Sequence, residues 1–291
     1  MRYKFIKEER SHYGVNRLCR VLKVSRSGYH KWVKKKTGKR ATENENLAVR
    51  IQEIFEANRK VYGWRRIVRI LKKEGLCYNH KRIRRIMKAN NLRAVQRMKY
   101  RPLTTDSRGN KLIFPNLLKY RTANRPEEVL AADITYIRTE EGFIYLSVVI
   151  DLFTRQVIGY AVDDNMKADL VYRSVLNAFR KINPNKVKIF HSDRGKQFSS
   201  LKLTELMRFY KIEQSMSRKG NCYDNSIVES FFHTLKTESI YREKLESLEM
   251  TKLKIFDYIE LFYNKKRIHS ALDYLSPVDF KDRFYLNRNV S

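Results

Sequence analysis

The first half of the chain carries apolar residues every three to four positions in short segments, which is the spacing of one helix face. Residues 15–22 form the first segment, and residues 29–33 form a second one after a turn in which Ser25 or Ser27 can cap the following helix. Two short helices, separated by a tight turn and rich in basic residues, predict a helix-turn-helix.

The same outline recurs further along, where Gly75 ends a helix over 63–75 and Asn79 caps a helix over 80–89. The apolar positions of this pair share one face: Ile67, Ile70, Leu71, Ile83, Ile86 and Met87. The other faces are basic, and we predict that four of their side chains contact DNA. These are Arg65, Arg66, Arg84 and Arg85.

The second half of the chain has a different pattern, of short apolar runs and alternation. Three strands joined by short turns predict an antiparallel meander, over 129–137, 143–152 and 156–162. A helix, a short apolar strand and three further helices follow, over 167–182, 187–191, 200–210, 224–240 and 249–268. This order predicts an α/β fold of the ribonuclease-H-like type.

Charge separates the two halves. Residues 1–125 contain 36 Lys and Arg against 8 Asp and Glu, whereas residues 126–291 contain 26 against 23. Lys and Arg neutralise phosphates and release counterions, so we expect binding to nucleic acid that weakens steeply with salt. We divide the chain into a basic helical DNA-binding region over 1–92, a basic linker over 93–126, and a catalytic core with C-terminal helices over 127–291.

Several classes of protein are disfavoured. No apolar run approaches the roughly 20 residues that a membrane span needs, and the segment Met1–Arg10 lacks the apolar stretch of a signal peptide. The three cysteines are far apart and form no C-x-x-C pair, which disfavours disulfides and cysteine-bound zinc. We therefore expect a cytoplasmic protein with no membrane partner.

Three carboxylates stand out from their surroundings. Asp133 interrupts an apolar strand, where a charge is costly to bury unless it is paired or bound to metal. Asp193 directly follows a short strand, and Glu229 lies within an apolar stretch of a helix. Each alone is more often structural, as a hydrogen-bonding strand Asp, a turn former or a surface Glu. We predict that together they are catalytic.

The residue type fits one chemistry. Hard oxygen ligands suit Mg²⁺ or Mn²⁺, and two such ions about 3.5–4 Å apart can activate a water or a 3′-hydroxyl and stabilise the leaving oxygen. Lys236 follows Glu229 by two helical turns on the same face, where it can hold a DNA phosphate, and Asn225 and His233 share that face. We also place Asn225 and Arg194 among the DNA contacts.

These motifs resemble the integrase core of the OrfB-type transposases of the IS-three group of bacterial insertion sequences, which are DDE enzymes related to retroviral integrases. The similarity rests on short runs spread over nearly the whole chain: Tyr62-Gly63-Trp64-Arg65-Arg66, Asp133-Ile134-Thr135-Tyr136, Asp151-Leu152-Phe153-Thr154-Arg155, His191-Ser192-Asp193-Arg194-Gly195, Asn221-Cys222-Tyr223-Asp224-Asn225, Glu229-Ser230-Phe231-Phe232 and Tyr263-Asn264.

The resemblance implies a core with a mixed five-stranded sheet and flanking helices. It implies Asp133, Asp193 and Glu229 as ligands of two Mg²⁺ or Mn²⁺ ions, and Lys236 as a DNA contact. It further implies that three C-terminal residues shape the DNA-binding surface, namely Asn264, Arg267 and His269. The substrates are then the terminal repeats of the element and a target DNA, bound by a homo-oligomer in a synaptic complex.

The resemblance also implies an upstream reading frame, OrfA, which supplies a helix-turn-helix and a leucine zipper and is often fused to this part by frameshifting. No sustained heptad occurs in this chain, so we expect it to act with that partner or as the fused form.

Two other functions fit the same residues. One is a ribonuclease-H-like nuclease that cuts without strand transfer, and the other is a DNA-binding regulator whose catalytic fold is inactive. Within the site, Asp151 competes with the three carboxylates because it ends the second strand near Asp133.

Overall fold

Residues 1–34, 39–95, 112–218 and 225–289 are described by a computed structural model. Residues 96–111 of the predicted linker and the run from Asn221 to Asp224 lie outside these ranges. No helix among the described residues combines the length and apolar character needed to cross a bilayer.

Three short helices open the chain: α1 Arg2–Tyr13, α2 Val15–Val21 and α3 Arg26–Val33. They enclose a small core of Ile6, Leu18, Cys19 and Tyr29. The predicted helix pair is present as α2 and α3, and the Ser25 hydroxyl caps α3 by accepting a hydrogen bond from the amide of Gly28 at 2.9 Å. Sequence reasoning missed α1, which buries only Ile6 and therefore has no apolar stripe.

A second helical unit follows, made of α4 Lys39–Ala57, α5 Trp64–Lys73 and α6 His80–Ala89. The Asn79 side chain caps α6 by accepting from the amide of Lys81 at 2.8 Å. Five of the six predicted inward positions of α5 and α6 are buried, and Ile70 is partly buried. The long helix α4 was not predicted, although it supplies apolar side chains to the same core: Leu47, Ile51, Ile54 and Phe55.

A five-stranded sheet forms the centre of the second half. Its strands are β1 Val129–Thr139, β2 Gly142–Asp151, β3 Val157–Asp163, β4 Ile189–Ser192 and β5 Glu213–Met216. The order in the sheet is β3-β2-β1-β4-β5. The first three strands pair antiparallel, while β4 runs parallel to β1 and β5 runs parallel to β4. The predicted mixed five-stranded sheet is confirmed, but sequence reasoning did not locate the short, polar β5.

Helices cover both faces of this sheet: α7 Ala168–Phe179, α8 Leu201–Phe209, α9 Ser226–Glu238, α10 Leu248–Phe256 and α11 Pro277–Asn289. Because side chains alternate along a strand, Ala131 and Ile137 of β1 join the core that contains α9, whereas Leu130 and Ala132 join the core of α7 and α8. Asp133 has the parity of Ala131, so it belongs to the α9 face. The predicted α/β fold of the ribonuclease-H-like type, with helices flanking the sheet, is confirmed.

The helical unit α4–α6 packs directly on the C-terminal segment of the core, and one continuous apolar cluster runs from Leu47 to Ile268. Tyr62 is fully buried between the two parts. Its hydroxyl accepts a hydrogen bond from the amide of Ile268 at 2.9 Å and donates one to the carbonyl of Lys266 at 3.1 Å. The Arg59 guanidinium lies 4.7 Å from the ring centroid of Phe262.

We expect Tyr62→Phe to destabilise the protein by about 1–3 kcal/mol, because it leaves the buried amide of Ile268 without an acceptor. The midpoint of urea unfolding measures this loss. The matched control is Tyr120→Phe, which changes an exposed tyrosine and is expected to leave the midpoint unchanged. Equal midpoints for the two variants would contradict the proposed bridging role of the hydroxyl.

Candidate active site

The parallel pairing of β1 with β4 brings two of the predicted carboxylates together. In this register Ala131 lies opposite His191. The same register carried two residues further sets Asp133 opposite Asp193, just past the end of β4. Neighbouring strands lie about 4.8 Å apart, so the two aspartates occupy adjacent positions at the carboxyl end of the parallel pair.

Local contacts hold the turn that carries Asp193. The amide of Gly195 donates a hydrogen bond to Asp193 Oδ1 at 2.9 Å. A Cβ atom at position 195 would lie only 3.0 Å from that oxygen, so a side chain there would push against the Asp193 carboxylate. Before the turn, the buried His191 ring bridges the hydroxyls of Ser215, at 2.9 Å, and Ser217, at 3.0 Å. These bonds fix the end of β4 against β5.

Helix α9 brings Glu229 and Lys236 to the same strand. It contacts β1, and Lys236 Nζ lies 4.9 Å from the ring centroid of Tyr136. Seven residues of helix and three residues of strand both span about 10 Å. The contact between Lys236 and Tyr136 at one end is therefore compatible with proximity of Glu229 and Asp133 at the other.

The electrostatics agree with this placement. Burial and then the charge of Asp193 raise the pKa of Asp133 well above its usual value, and the charge of Glu229 adds to the rise. The charge of Lys236 opposes it. Burial also raises the pKa of Glu229, and burial lowers the pKa of Lys236 to about 8. Repulsion among the carboxylates therefore adds to the effect of burial on Asp133, and the charge of Lys236 offsets part of it.

The three carboxylates are within electrostatic reach of one another but do not form a closed ligand shell. Among the described residues, no three Asp, Glu, His or Cys side chains are grouped tightly enough to enclose a metal ion. The Glu229 side chain is exposed. The buried Asn225 amide, one turn before it on α9, has no hydrogen-bond partner in the described part of the chain.

Comparison with protein families matches the chain to three domain models. Two integrase core domain models match residues 123–222 and 229–284. An HTH-like domain model matches residues 42–100, which contain most of α4 and all of α5 and α6.

Curated relatives extend over almost the whole chain. The transposase InsF for insertion sequence IS3A of Escherichia coli (strain K12) is 36% identical over 287 residues, which are 97% of this chain and 99% of that protein. The insertion element IS600 uncharacterized 31 kDa protein of Shigella sonnei is 36% identical over 269 residues, which are 92% of this chain and 98% of that protein. The chain belongs to the IS3 family of insertion-sequence transposases. It is a DDE transposase, an enzyme of the polynucleotidyl transferase type.

Two solved structures resemble the transposase at 15% sequence identity. One is a chain of the simian T-cell lymphotropic virus intasome in complex with the PP2A regulatory subunit B56 gamma, with a TM-score of 0.47 over 67% of this chain and 66% of that chain. The other is the HTLV-2 integrase catalytic core domain in complex with magnesium, with a TM-score of 0.43 over 55% of this chain and 99% of that chain.

The competing carboxylate, Asp151, accepts hydrogen bonds from residues of the turn that follows β2. Its Oδ2 accepts from the Thr154 hydroxyl at 2.6 Å and from the Thr154 amide at 3.2 Å, and its Oδ1 accepts from the Phe153 amide at 3.2 Å. Burial raises the pKa of Asp151. In the sheet it pairs with Leu130, which lies three residues from Asp133 and on the other face. These contacts give Asp151 a structural role at the turn from β2 to β3.

The arginines predicted to contact DNA on α5, on α6 and after β4 differ in their exposure to solvent. Arg65, Arg84 and Arg85 are exposed on α5 and α6, where a nucleic acid can reach them. Arg66 is half-buried, and the Nε of the half-buried Arg194 donates to the carbonyl of Ser217 at 2.9 Å.

The three C-terminal residues predicted to shape a DNA surface are buried and engaged internally. The Asn264 side chain accepts from the amide of Val157 at 3.0 Å and donates to its carbonyl at 2.9 Å. Arg267 forms two hydrogen bonds of 2.7 Å with Glu238. Burial opposes the charge of Arg267, but these bonds outweigh it and raise its pKa. Contact of Asn264, Arg267 and His269 with DNA stays a prediction.

The Glu238–Arg267 pair is the main element that sequence reasoning missed. Glu238 also accepts from the Tyr258 hydroxyl at 2.8 Å, so it ties the end of α9 to the π-helical segment Asp257–Tyr263 that continues α10. No motif marks Glu238 in the sequence, because its partners lie 20 and 29 residues away.

We expect Asp151→Asn to lower the free energy of unfolding by about 1–3 kcal/mol. The NH₂ group of the new side chain would face the amide and hydroxyl groups that now donate hydrogen bonds to the carboxylate. DNA cleavage assayed below its melting temperature is expected to persist. The comparison variant is Glu229→Gln, which is expected to melt like the wild type but to lose cleavage. The assignment of the three carboxylates is wrong if the two variants exchange these results.

Proposed function

We propose that this transposase cuts DNA at the ends of its insertion sequence and joins the freed 3′-ends to new DNA, with Asp133, Asp193 and Glu229 as its catalytic metal ligands. The observation that carries this proposal is the adjacency of Asp133 and Asp193 at the end of the parallel strand pair, with the charge of Glu229 acting on the same site.

The residues present fit divalent cations. All three are carboxylates, which are the hard oxygen ligands that Mg²⁺ and Mn²⁺ prefer, and their mutual repulsion is relieved when cations bind. The Asn225 amide, which lacks a partner among the described residues, offers a further polar group beside them. When bound, two such ions supply Lewis-acid activation of a water or a 3′-hydroxyl and stabilisation of the leaving oxygen.

The chain's own groups hold the site in place. The amide of Gly195 orients the Asp193 carboxylate, and the amide of Ile134 donates to Asp133 Oδ1 at 2.7 Å. The exposed Glu229 side chain completes the ligand set by turning toward the two aspartates. Lys236 places a positive charge near Asp133, where it balances the carboxylates and helps to hold a DNA phosphate.

The helical unit α4–α6 is proposed to bind the terminal repeats of the element through its exposed arginines, while the core receives the target DNA. Arg65, Arg84 and Arg85 stand on the surface of α5 and α6, and phosphate neutralisation by such residues gives salt-sensitive affinity. Action on both ends of one element requires a homo-oligomer in a synaptic complex. A DNA-bound protein of this kind associates with the bacterial nucleoid in the cytoplasm.

Strand transfer tests the catalytic assignment. With labelled element ends and Mg²⁺, we expect Asp133→Asn, Asp193→Asn and Glu229→Gln each to lower cleavage and joining by at least about 100-fold, since even groups that only support metal ligands contribute 10–100-fold. DNA affinity is expected to change little. The control is Glu141→Gln, an exposed carboxylate in the β1–β2 turn.

The products separate the alternatives. Cleavage without joining would identify a nuclease, and end binding with neither reaction would identify an inactive regulator. Full activity of Glu229→Gln would remove this residue from the site.

We further propose that the chain acts with an upstream-frame partner, OrfA, or as a frameshift fusion with it. The test compares the chain alone, the chain mixed with that partner, and the fused form on DNA carrying the element's own terminal repeats. We expect end-specific joining only when the upstream part is present, because that part supplies the additional DNA-recognition and dimerisation segments. Equal end-specific joining by the chain alone would contradict this.

A further inference from the structure

A small polar cavity of about 110 Å³ lies where four parts of the chain meet. Arg66 comes from α5, Arg155 from the turn between β2 and β3, Ser230 and Thr234 from α9, and Arg267 from the C-terminal segment. The cavity thus touches the helical unit and the catalytic core at once, and Ser230 directly follows Glu229 on α9.

The charges around this cavity do not balance. Arg267 is paired with Glu238, but in the described ranges neither Arg66 nor Arg155 forms an ion pair or a hydrogen bond with a carboxylate. The guanidinium of Arg66 lies 5.1 Å from the ring centroid of Tyr62, a contact that stabilises a cation without neutralising it. Three guanidinium groups therefore share one carboxylate.

The imbalance acts on neighbouring groups. Burial and then the charges of Arg267, Arg66 and Arg155 lower the pKa of His269 to about 2, so this ring is neutral. Burial and then the charge of Arg267 lower the pKa of Arg66. Like charges held together in a partly buried site cost free energy unless an anion binds between them.

The cavity has the size and the polar groups for one tetrahedral anion. Water occupies about 30 Å³ in the liquid, so the space corresponds to about three to four water molecules. Its rim includes Ser230 and Ser270, both exposed, so the cavity opens to solvent. Guanidinium groups bind phosphoryl oxygens through paired hydrogen bonds, and hydroxyl groups can add to them.

We propose that the cavity lined by Arg66, Arg155 and Ser230 is a phosphoryl-binding site that bridges the helical unit and the catalytic core. We expect the phosphoryl group to come from the backbone of bound DNA, an assignment that rests on the proposed function. Free phosphate is the other source with the same chemistry. A backbone phosphate held here ties the DNA to the helix that carries Glu229.

The variant that tests this site is Arg155→Asn. Arg155 has a φ of 60°, a conformation that asparagine tolerates better than most residues, so the change removes the charge without straining the turn. The matched control is Lys211→Asn, which removes an exposed positive charge at a φ of 55° in the turn between α8 and β5.

Thermal unfolding of the full chain measures anion binding. With excess inorganic phosphate in place of chloride at equal ionic strength, we expect the melting temperature of the wild type and of Lys211→Asn to rise by about 2–4 °C. Arg155→Asn is expected to lose this rise. In chloride alone it is expected to melt no lower than the wild type, because it relieves repulsion between arginines. A lower melting temperature in chloride with an undiminished phosphate response would show a purely structural arginine and overturn the proposal.

DNA binding identifies the source. For a duplex carrying an element end, we expect Arg155→Asn to reduce the slope of log affinity against log salt by about one, more than Lys211→Asn does. An unchanged slope with a lost phosphate response assigns the site to free phosphate, and an unchanged slope with an unchanged response overturns the site.

Two further variants keep these results interpretable. Arg155→Lys keeps the charge and loses the paired hydrogen bonds, so it is expected to retain part of both responses, and it replaces Arg155→Asn if that variant does not fold. Glu229→Gln is expected to keep both responses in full while it loses strand transfer. Failure of the catalytic assignment is thereby distinguished from failure of the phosphoryl site.

Discussion

The parallel pairing of β1 with β4 is the constraint on which the proposed catalytic site depends. The two strands are separated by two other strands and a helix in the sequence, yet they are neighbours in the sheet. Their register sets the end of β4 beside the middle of β1, so Asp133 and Asp193 become adjacent. Glu229 enters from a third element, α9, which packs on the same face of the sheet.

This arrangement stores electrostatic repulsion where the chemistry is proposed to occur. Burial and neighbouring carboxylates raise the pKa of Asp133, whereas the Ile134 amide and the charge of Lys236 lower it. Lys236 contributes one positive charge beside Tyr136. We propose that bound metal ions supply further compensation, which would couple the charge state of the site to its ligands.

The cavity around Arg155 has the opposite sign. There guanidinium groups outnumber carboxylates, and the site favours an anion. The same helix, α9, contacts both sites, since Glu229 and Ser230 are consecutive residues. The buried bonds of Tyr62 and the Glu238–Arg267 pair hold the helical unit, α9 and the C-terminal segment in a fixed relation. A phosphodiester of DNA is both the proposed substrate of one site and the proposed ligand of the other.

The sequence by itself determined the local elements and the residue types. Apolar residues at helical spacing, such as Ile67 in one segment and Ile83 in the next, predicted α5 and α6, and Asn79 predicted the start of α6. Short and alternating apolar runs predicted β1 to β3. All of these signals arise from neighbours along the chain. Motif resemblance identified the family, while the catalytic role of the three carboxylates stays a prediction. Weak local signals hid α1 and β5, whose formation depends on packing against other elements, whereas α4 carries an apolar face from Leu47 to Phe55.

Only the tertiary structure decided how these residues are used. It engaged Asp151 in a turn, buried Asn264 and Arg267 in internal bonds, and gathered Arg66 and Arg155 around one cavity. Pairing of this kind depends on contacts between side chains that are tens to hundreds of positions apart, and the energy of a charge depends on the burial and neighbours it meets there. A sequence specifies which groups are present, while the fold determines which of them remain available for a ligand.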